Sequence, residues 1–263
     1  MSSSEAIYPI PAFSDNYIWI FTDGENDACV VDPGDSNVVA EYLGNHNLSL
    51  SHILLTHHHP DHTGGVKALA DRFDSQVIGP AKSPFGAIDH PVSEGQRLTV
   101  LGFQFGVLEV PGHTLDHIAY YCDSAPDGDG PLVFCGDTLF AAGCGRIFEG
   151  NPSMMFQSLQ KLAALPAATR VFCTHEYTLA NLQFANAAEP ENKELQQRTA
   201  SAKQARDSNQ PTLPSNIGLE LATNPFLRCS QPTLARSAAT QHGSQVTDPV
   251  EVFATLRRWK DNF

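Results

Sequence analysis

Residues 57–62 read His-His-His-Pro-Asp-His, and no other stretch limits the fold of this chain as strongly. His57, His59, Asp61 and His62 form the pattern His-x-His-x-Asp-His. It follows the apolar Ile53, Leu54 and Leu55, a buried-strand signal, and precedes Thr63, Gly64, Gly65 and Val66, a turn entering a helix. Side chains two apart in extended backbone point the same way, so His57 and His59 are expected to share one metal while His58 faces elsewhere. Asp61 and His62, past the turn, address a second. With 11 His and 29 acidic residues in 263 positions, chance supplies this pattern at a level on the order of 0.002. The motif therefore predicts a two-metal hydrolytic site at the C-terminal end of a strand.

The rest of the chain has to build a scaffold for that site. Hydrophobic residues at 41% and charged ones at 17% suit a globular protein with an ample core, long enough for one large domain or for a domain of ordinary size plus a small second one. No apolar stretch approaches the roughly 20 residues of a membrane span. Residues 1–5 carry neither a basic cluster nor a long apolar segment, so the expected compartment is the cytoplasm. Cys29, Cys122, Cys135, Cys144, Cys173 and Cys229 are scattered without a C-x-x-C pair. That argues against a disulfide framework or a zinc ribbon and for reduced core thiols. A net charge of −13 argues against general nucleic-acid affinity, and an anionic ligand would need a local cationic pocket. Nothing in the sequence demands an oligomer, so a monomer is expected.

Strands are predicted over 17–21 and 28–31 as a hairpin, then around 53–55, 76–78, 98–100, 103–110, 118–122, 132–135 and 170–173. A short helix capped by Ser36 and ended by Gly44 carries Val38, Val39, Tyr42 and Leu43. Another presents Val66, Leu69, Ala70 and Phe73 on one face, and a third opens at Asn151-Pro152. Because the strands are short and few are separated by helices, a β-sandwich with helices outside is preferred to a doubly wound sheet. Past His175 the character changes: helices are expected over 178–188, 191–207 and 249–260, with a Pro-rich extended stretch over 210–226. The predicted domains are 1–173 and a mainly helical 174–263. No internal repeat is visible.

Two metals held close together need about seven ligands. Three further candidates follow apolar strands: His113 in Pro111-Gly112-His113-Thr114, Asp137 in Cys135-Gly136-Asp137-Thr138, and His175 in Cys173-Thr174-His175-Glu176-Tyr177. Together with the first motif these resemble the metal-binding motifs of the metallo-β-lactamase superfamily, in the order that family uses. Asp15-Asn16-Tyr17, Val31-Asp32-Pro33-Gly34, Gly143-Cys144-Gly145-Arg146, Asn224-Pro225-Phe226-Leu227-Arg228 and Arg257-Arg258-Trp259-Lys260 are further similar to glyoxalase II, across nearly the whole length.

The resemblance implies an αββα four-layer sandwich of the metallo-β-lactamase type followed by a helical domain. It implies that His57, His59 and His113 bind one metal, that Asp61, His62 and His175 bind the other, and that Asp137 bridges them, with Asp61 as proton acceptor. Zinc is the first choice for both ions, with iron or manganese also compatible with imidazole and carboxylate ligands. His117 is assigned outside the ligand set, because that set is already complete. His46, His52, His90 and His242 lack metal-like spacing. The resemblance also implies that Arg146, Tyr177, Arg257 and Lys260 occupy glutathione-contacting positions, and Arg257 and Lys260 are three apart, which puts them on one face of the expected last helix. Arg146 stands where many relatives have lysine. Phe148 stands where some have a ligand-contacting tyrosine, which implies weaker glutathione binding.

Water shared by two divalent cations ionises near neutral pH without a protein base, and a thioester expels a thiolate of pKa around 8.5, so no strong general acid is required. The absence of a convincing acid is consistent with thioester hydrolysis. The expected substrate is an S-(2-hydroxyacyl)glutathione, typically S-D-lactoylglutathione. On the same framework, a persulfide dioxygenase with a single iron and a non-catalytic metal-binding protein are the alternative readings.

Overall fold

The structure, a computed structural model, describes residues 7–126 and 128–263. Residues 1–5, read above for a secretory signal, lie outside them. Two compact units emerge, one of Met1–Glu109 with Asp116–Gly136 and one of Val110–Leu115 with Asp137–Phe263.

The first unit contains a six-stranded sheet in sequential order: β1 (Ile7–Ala12), β2 (Asn16–Thr22), β3 (Asp27–Val31), β4 (Ser49–Leu54), β5 (Gln76–Pro80) and β6 (His90–Val92). The first three are antiparallel and β3 to β6 run parallel. Parallel neighbours need crossovers. α1 (Ser36–His46) supplies the first, and the short α2 (Pro60–Thr63) with α3 (Val66–Phe73) supplies the second. A second, antiparallel meander comprises β7 (Arg97–Val100), β8 (Phe103–Glu109), β9 (Ile118–Cys122) and β10 (Leu132–Gly136).

β2 is buried along most of its length and shows how the layers stack. Its Ile18 and Ile20 join Val39, Leu43, Val66 and Leu69 of the helices in one cluster. The alternate residue Phe21 points to the opposite face, where its ring lies 4.7 Å from Phe103, 5.8 Å from Phe105 and 5.8 Å from Phe134. Period-two alternation thus gives helix, sheet, sheet. The Tyr120 hydroxyl, from the meander, donates to the Leu55 carbonyl at 2.8 Å and fastens the end of β4 to the second sheet just before the histidine run.

The second unit contains the hairpin β11 (Leu139–Phe140) and β12 (Gly143–Cys144), the pair β13 (Arg170–Cys173) and β14 (Ser215–Asn216), and helices α4 (Pro152–Ala163), α5 (Thr178–Ala188), α6 (Lys193–Asp207), α7 (Ile217–Thr223), α8 (Pro232–His242) and α9 (Pro249–Asp261). Asn151, Asn192, Asn216 and Asp248 cap α4, α6, α7 and α9 by accepting from first-turn amides.

Two expectations are corrected, for α1 and for residues 210–226, and two elements, β1 and α8, carry little signal in the sequence. Asp35, not Ser36, caps α1 by accepting from the Asn37 amide, and the helix passes Gly44 to end at Asn47 in the left-handed conformation. β1 carries Pro9 and Pro11, which argue against a strand, yet it is an edge strand where missing donors cost little. The 210–226 stretch contains α7, which an Asn216 cap starts and which is too short to show a helical period. α8 carries little signal in sequence because only Leu234 and Ala238 of its residues are buried, so its apolar face is faint.

Candidate metal centre

In the first unit, β4 delivers Leu55 and Thr56 to the histidine run, and His59 precedes α2, whose first residue is Pro60. The rings of His57 and His59 lie 4.8 Å apart and those of His57 and His62 4.1 Å apart, whereas His58 is 6.5 Å from His57. His58 turns instead to Asp116, Nδ1 to Oδ1 at 2.9 Å. Asp61 Oδ2 stands 3.5 Å from His62 Nε2 and accepts from Asn16 Nδ2 at 3.3 Å. His57 and His62 are fully buried.

A carboxylate absent from the sequence-derived set organises these rings. Asp32, at the end of β3 with φ +54°, accepts from the Thr56 amide at 2.8 Å and the Thr56 hydroxyl at 2.7 Å, and faces His62 Nδ1 at 3.1 Å. Having given its hydrogen to Asp32, the Thr56 hydroxyl accepts from His57 Nδ1 at 3.1 Å. His57 is thereby held through Nδ1 and His62 turns its Nδ1 to the same carboxylate, the kind of outer contact that orients metal-binding histidines. Asp32, His57 and His62 themselves bring ligand atoms within 4.8 Å of one another, but Asp32 is already engaged by Thr56, which suits it to an outer partner. In sequence Asp32 shows only as part of Val31-Asp32-Pro33-Gly34, which breaks an apolar strand and belongs to the family resemblance, with no pointer to its partner. His117 is buried and stacks on His57 at 4.5 Å. Gly136, at φ +47°, is required beneath them, because a Cβ there would lie 2.3 Å from Thr56 Oγ1.

In the second unit, His113, Asp137 and His175 converge. Nε2 of His113 lies 3.4 Å from Asp137 Oδ2 and Nε2 of His175 lies 3.3 Å from the same oxygen, all three side chains being nearly buried. His113 Nδ1 is fixed by the Arg146 carbonyl at 2.8 Å. Gly112, at φ +151°, makes the turn into His113 where any Cβ would strike Met155 at 2.7 Å. The His175 ring stacks face to face on Tyr177 at 4.6 Å, and Phe140 meets His175 edge-on at 5.8 Å.

The cationic candidates belong to this unit too. Arg257 is buried: it donates through Nη1 to the Cys144 carbonyl at 2.8 Å, lies 5.1 Å above the Phe226 ring, and turns Nε and Nη2 to Asp261 Oδ1 at 3.2 and 2.9 Å. Arg146 Nε stands 3.7 Å from that oxygen. Lys260 donates to the Ala180 carbonyl at 3.1 Å. Burial, then the Arg257 charge, holds its ammonium below the usual lysine range. Phe148 is 63% exposed, its ring 5.3 Å from that of His113.

Residues 12–175 match the model of the metallo-β-lactamase superfamily, and residues 176–263 match that of the hydroxyacylglutathione hydrolase C-terminus. The hydroxyacylglutathione hydrolase of Pseudomonas paraeruginosa is 54% identical over 97% of this chain and 98% of its own length. The chain belongs to the hydroxyacylglutathione hydrolase family. That of Nitrosomonas europaea is 48% identical over 98% of this chain and 96% of its own. Among solved structures, TTHA1623 in a di-iron-bound form aligns with a TM-score of 0.59 and 27% identity over 84% of this chain and all of its own. The fold is accordingly the αββα sandwich of this superfamily followed by the family's helical C-terminal region. Among the described residues no helix is long and apolar enough to cross a membrane.

Proposed function

We propose that this member of the hydroxyacylglutathione hydrolase family hydrolyses the thioester of S-(2-hydroxyacyl)glutathione, typically S-D-lactoylglutathione, to glutathione and D-lactate. This is the second step of methylglyoxal detoxification. One observation carries the reading. A single short hairpin joins Asp137, which faces His113 and His175, to Cys144 and Arg146, and Arg257 donates to the Cys144 carbonyl. A metal donor, Asp137, and an anion-binding cation, Arg146, thus share one backbone segment.

The donor set suits two divalent cations: imidazoles oriented through one nitrogen, plus carboxylates. His57, His59 and His113 would hold one ion, Asp61, His62 and His175 the other, and Asp137 both, with zinc first and iron or manganese as substitutes. When bound, the pair acidifies the hydrolytic water toward neutral pH and polarises the thioester carbonyl. Asp61, partly exposed and steadied by Asn16, accepts the proton. His117 packs behind His57 as an outer residue. Arg146, Tyr177, Arg257 and Lys260 recognise glutathione, whose two carboxylates call for charge-assisted donors. The leaving thiolate departs without a general acid.

The functional division near residue 173, with a substrate-binding 174–263, is supported by the two family models meeting close to it. The protein works as a cytoplasmic monomer on a small molecule, and its net charge of −13 suits neither nucleic acid nor an anionic membrane surface. Thiol release from S-D-lactoylglutathione by metal-loaded protein is the test. His59→Ala should abolish it and Arg257→Ala should chiefly raise KM. Failure of loaded wild-type protein to release thiol would sink the reading.

A further inference from the structure

Three cations gather at the end of α9, and one carboxylate oxygen serves two of them. Asp261 Oδ1 alone takes Nε and Nη2 of Arg257 at 3.2 and 2.9 Å and stands 3.7 Å from Nε of Arg146. A guanidinium paired with a carboxylate is held best when two N–H groups meet two separate oxygens. Here a single oxygen receives both, so the fork is occupied but not matched.

Asp261 is also poorly placed on its own helix. It is the last residue of α9, where the exposed carbonyls of the helix end repel a negative charge. It follows Arg257 by four positions, and a cation preceding an acid at this spacing is the weaker of the two orders. Its side chain is 38% exposed, so a rotation takes it into water. Arg257, by contrast, is fixed by the Cys144 carbonyl and the Phe226 ring and does not need Asp261 to stay in place. Lys260 adds a positive charge that burial and Arg257 already disfavour, so the cluster gains from any anion that approaches it.

We infer that Asp261 is a stand-in for a carboxylate of the substrate: it occupies the Arg257 fork in the absence of ligand, yields it to an anionic thiol ester, and so sets the selectivity of the site for negatively charged substrates. The inference rests on the reading of these cations as the glutathione subsite. Asp261 competes without taking part in bond breaking, so its removal strengthens binding of anionic ligands above all others.

Asp261→Asn keeps an oxygen where Arg257 donates and removes only the charge. The experiment compares wild type, Asp261→Asn and Asp261→Ala on S-D-lactoylglutathione and on a lactoyl thioester of the uncharged thiol N-acetylcysteamine. Glutathione is titrated as a product inhibitor, at low salt and at about 0.5 M NaCl. The expected result is a rise of roughly three- to tenfold in the ratio of kcat/KM between the two thioesters at low salt, carried by KM and matched by a fall in the glutathione inhibition constant. The rise should vanish at high salt. An unchanged or reduced ratio in both variants overturns the inference, because Asp261 would then merely prop Arg257. Wild-type protein that releases no thiol from either ester would instead overturn the proposed function.

Discussion

Asn224, which ends α7, donates its side-chain amide to the carbonyl of Gly143 at 2.8 Å. The same amide reaches the Phe140 carbonyl at 3.1 Å and Glu220 Oε2 at 2.9 Å, and that carboxylate oxygen accepts from the Ala142 amide at 2.8 Å. Asn181 completes the clamp by donating to the Ala141 carbonyl at 3.1 Å. Held this way, the hairpin tolerates Ala142 at φ +54°, a conformation that costs a residue with a Cβ about 1 kcal/mol or more. Asp137 precedes the hairpin and Arg146 follows it, so its register fixes both.

Asn224→Asp is therefore expected to place carboxylate oxygens against two backbone carbonyls and the buried Glu220. Leaving these groups unsatisfied costs about 1–3 kcal/mol, more with a charge. The thermal midpoint should fall, and fewer metal equivalents should survive dialysis against a chelator than in wild type. An unaltered midpoint with full metal retention would show that the clamp is dispensable.

Asp32 offers a cleaner separation of charge from backbone. Asparagine also accepts a left-handed φ, so Asp32→Asn leaves the turn intact while removing the negative charge beside His62 Nδ1. Metal affinity, measured by competition with a chromogenic chelator, should drop by roughly 10- to 100-fold, the usual effect of losing an outer partner of a ligand. An affinity equal to wild type would remove Asp32 from the site.

Phe148 has room for a hydroxyl, since its ring is 63% exposed beside His113. Phe148→Tyr should lower KM for S-D-lactoylglutathione by roughly two- to tenfold, the value of one added hydrogen bond, with kcat little changed. An unchanged KM would mean that the phenol does not reach glutathione.

The cysteines give a prediction that does not depend on metal. All six are buried thiols, and burial pushes the Cys144 thiol up to about 11 despite Arg257 beside it, with Cys29, Cys173 and Cys229 also raised. Native protein should show almost no rapid reaction with a thiol reagent at about pH 8, and all six thiols should react in denaturant. A fast-reacting native thiol would contradict this packing.

What the chain disclosed as a sequence follows from how far apart the interacting residues lie. His57, His59, Asp61 and His62 lie within six consecutive positions, so backbone geometry alone relates them. His113, Asp137 and His175 were legible because each repeats one local context, a polar residue just past an apolar strand. Asp32 was not, because its meaning comes from Thr56, 24 positions away across two parallel strands. The tie between Arg257 and Cys144 spans 113 positions and has no local trace. In the fold, strongly apolar strands announced themselves, whereas β1 was masked by its prolines and α8 by its small residues. Tertiary burial, not propensity, decides such elements.

Glu189 sets an acid limit on the joint between α5 and α8. It accepts from Nε and Nη2 of Arg228, both at 2.9 Å, from Asn192 at 2.9 Å and from Thr233 at 2.7 Å. Burial by itself would raise its carboxyl pKa, yet these donors and the Arg228 charge outweigh burial and hold it below the usual 4.5. A group whose folded pKa is depressed stabilises the protein fully above its unfolded value and loses that contribution as pH falls through the folded one. Glu189→Gln keeps the shape and removes the titration, so the difference in thermal midpoint between wild type and variant should be widest near about pH 7 and narrow below about pH 4.5. Every other acidic group is common to the two proteins and cancels from the difference. A gap that stays constant from about pH 7 to about pH 3.5 would show that Glu189 is not held in its charged form by the folded structure.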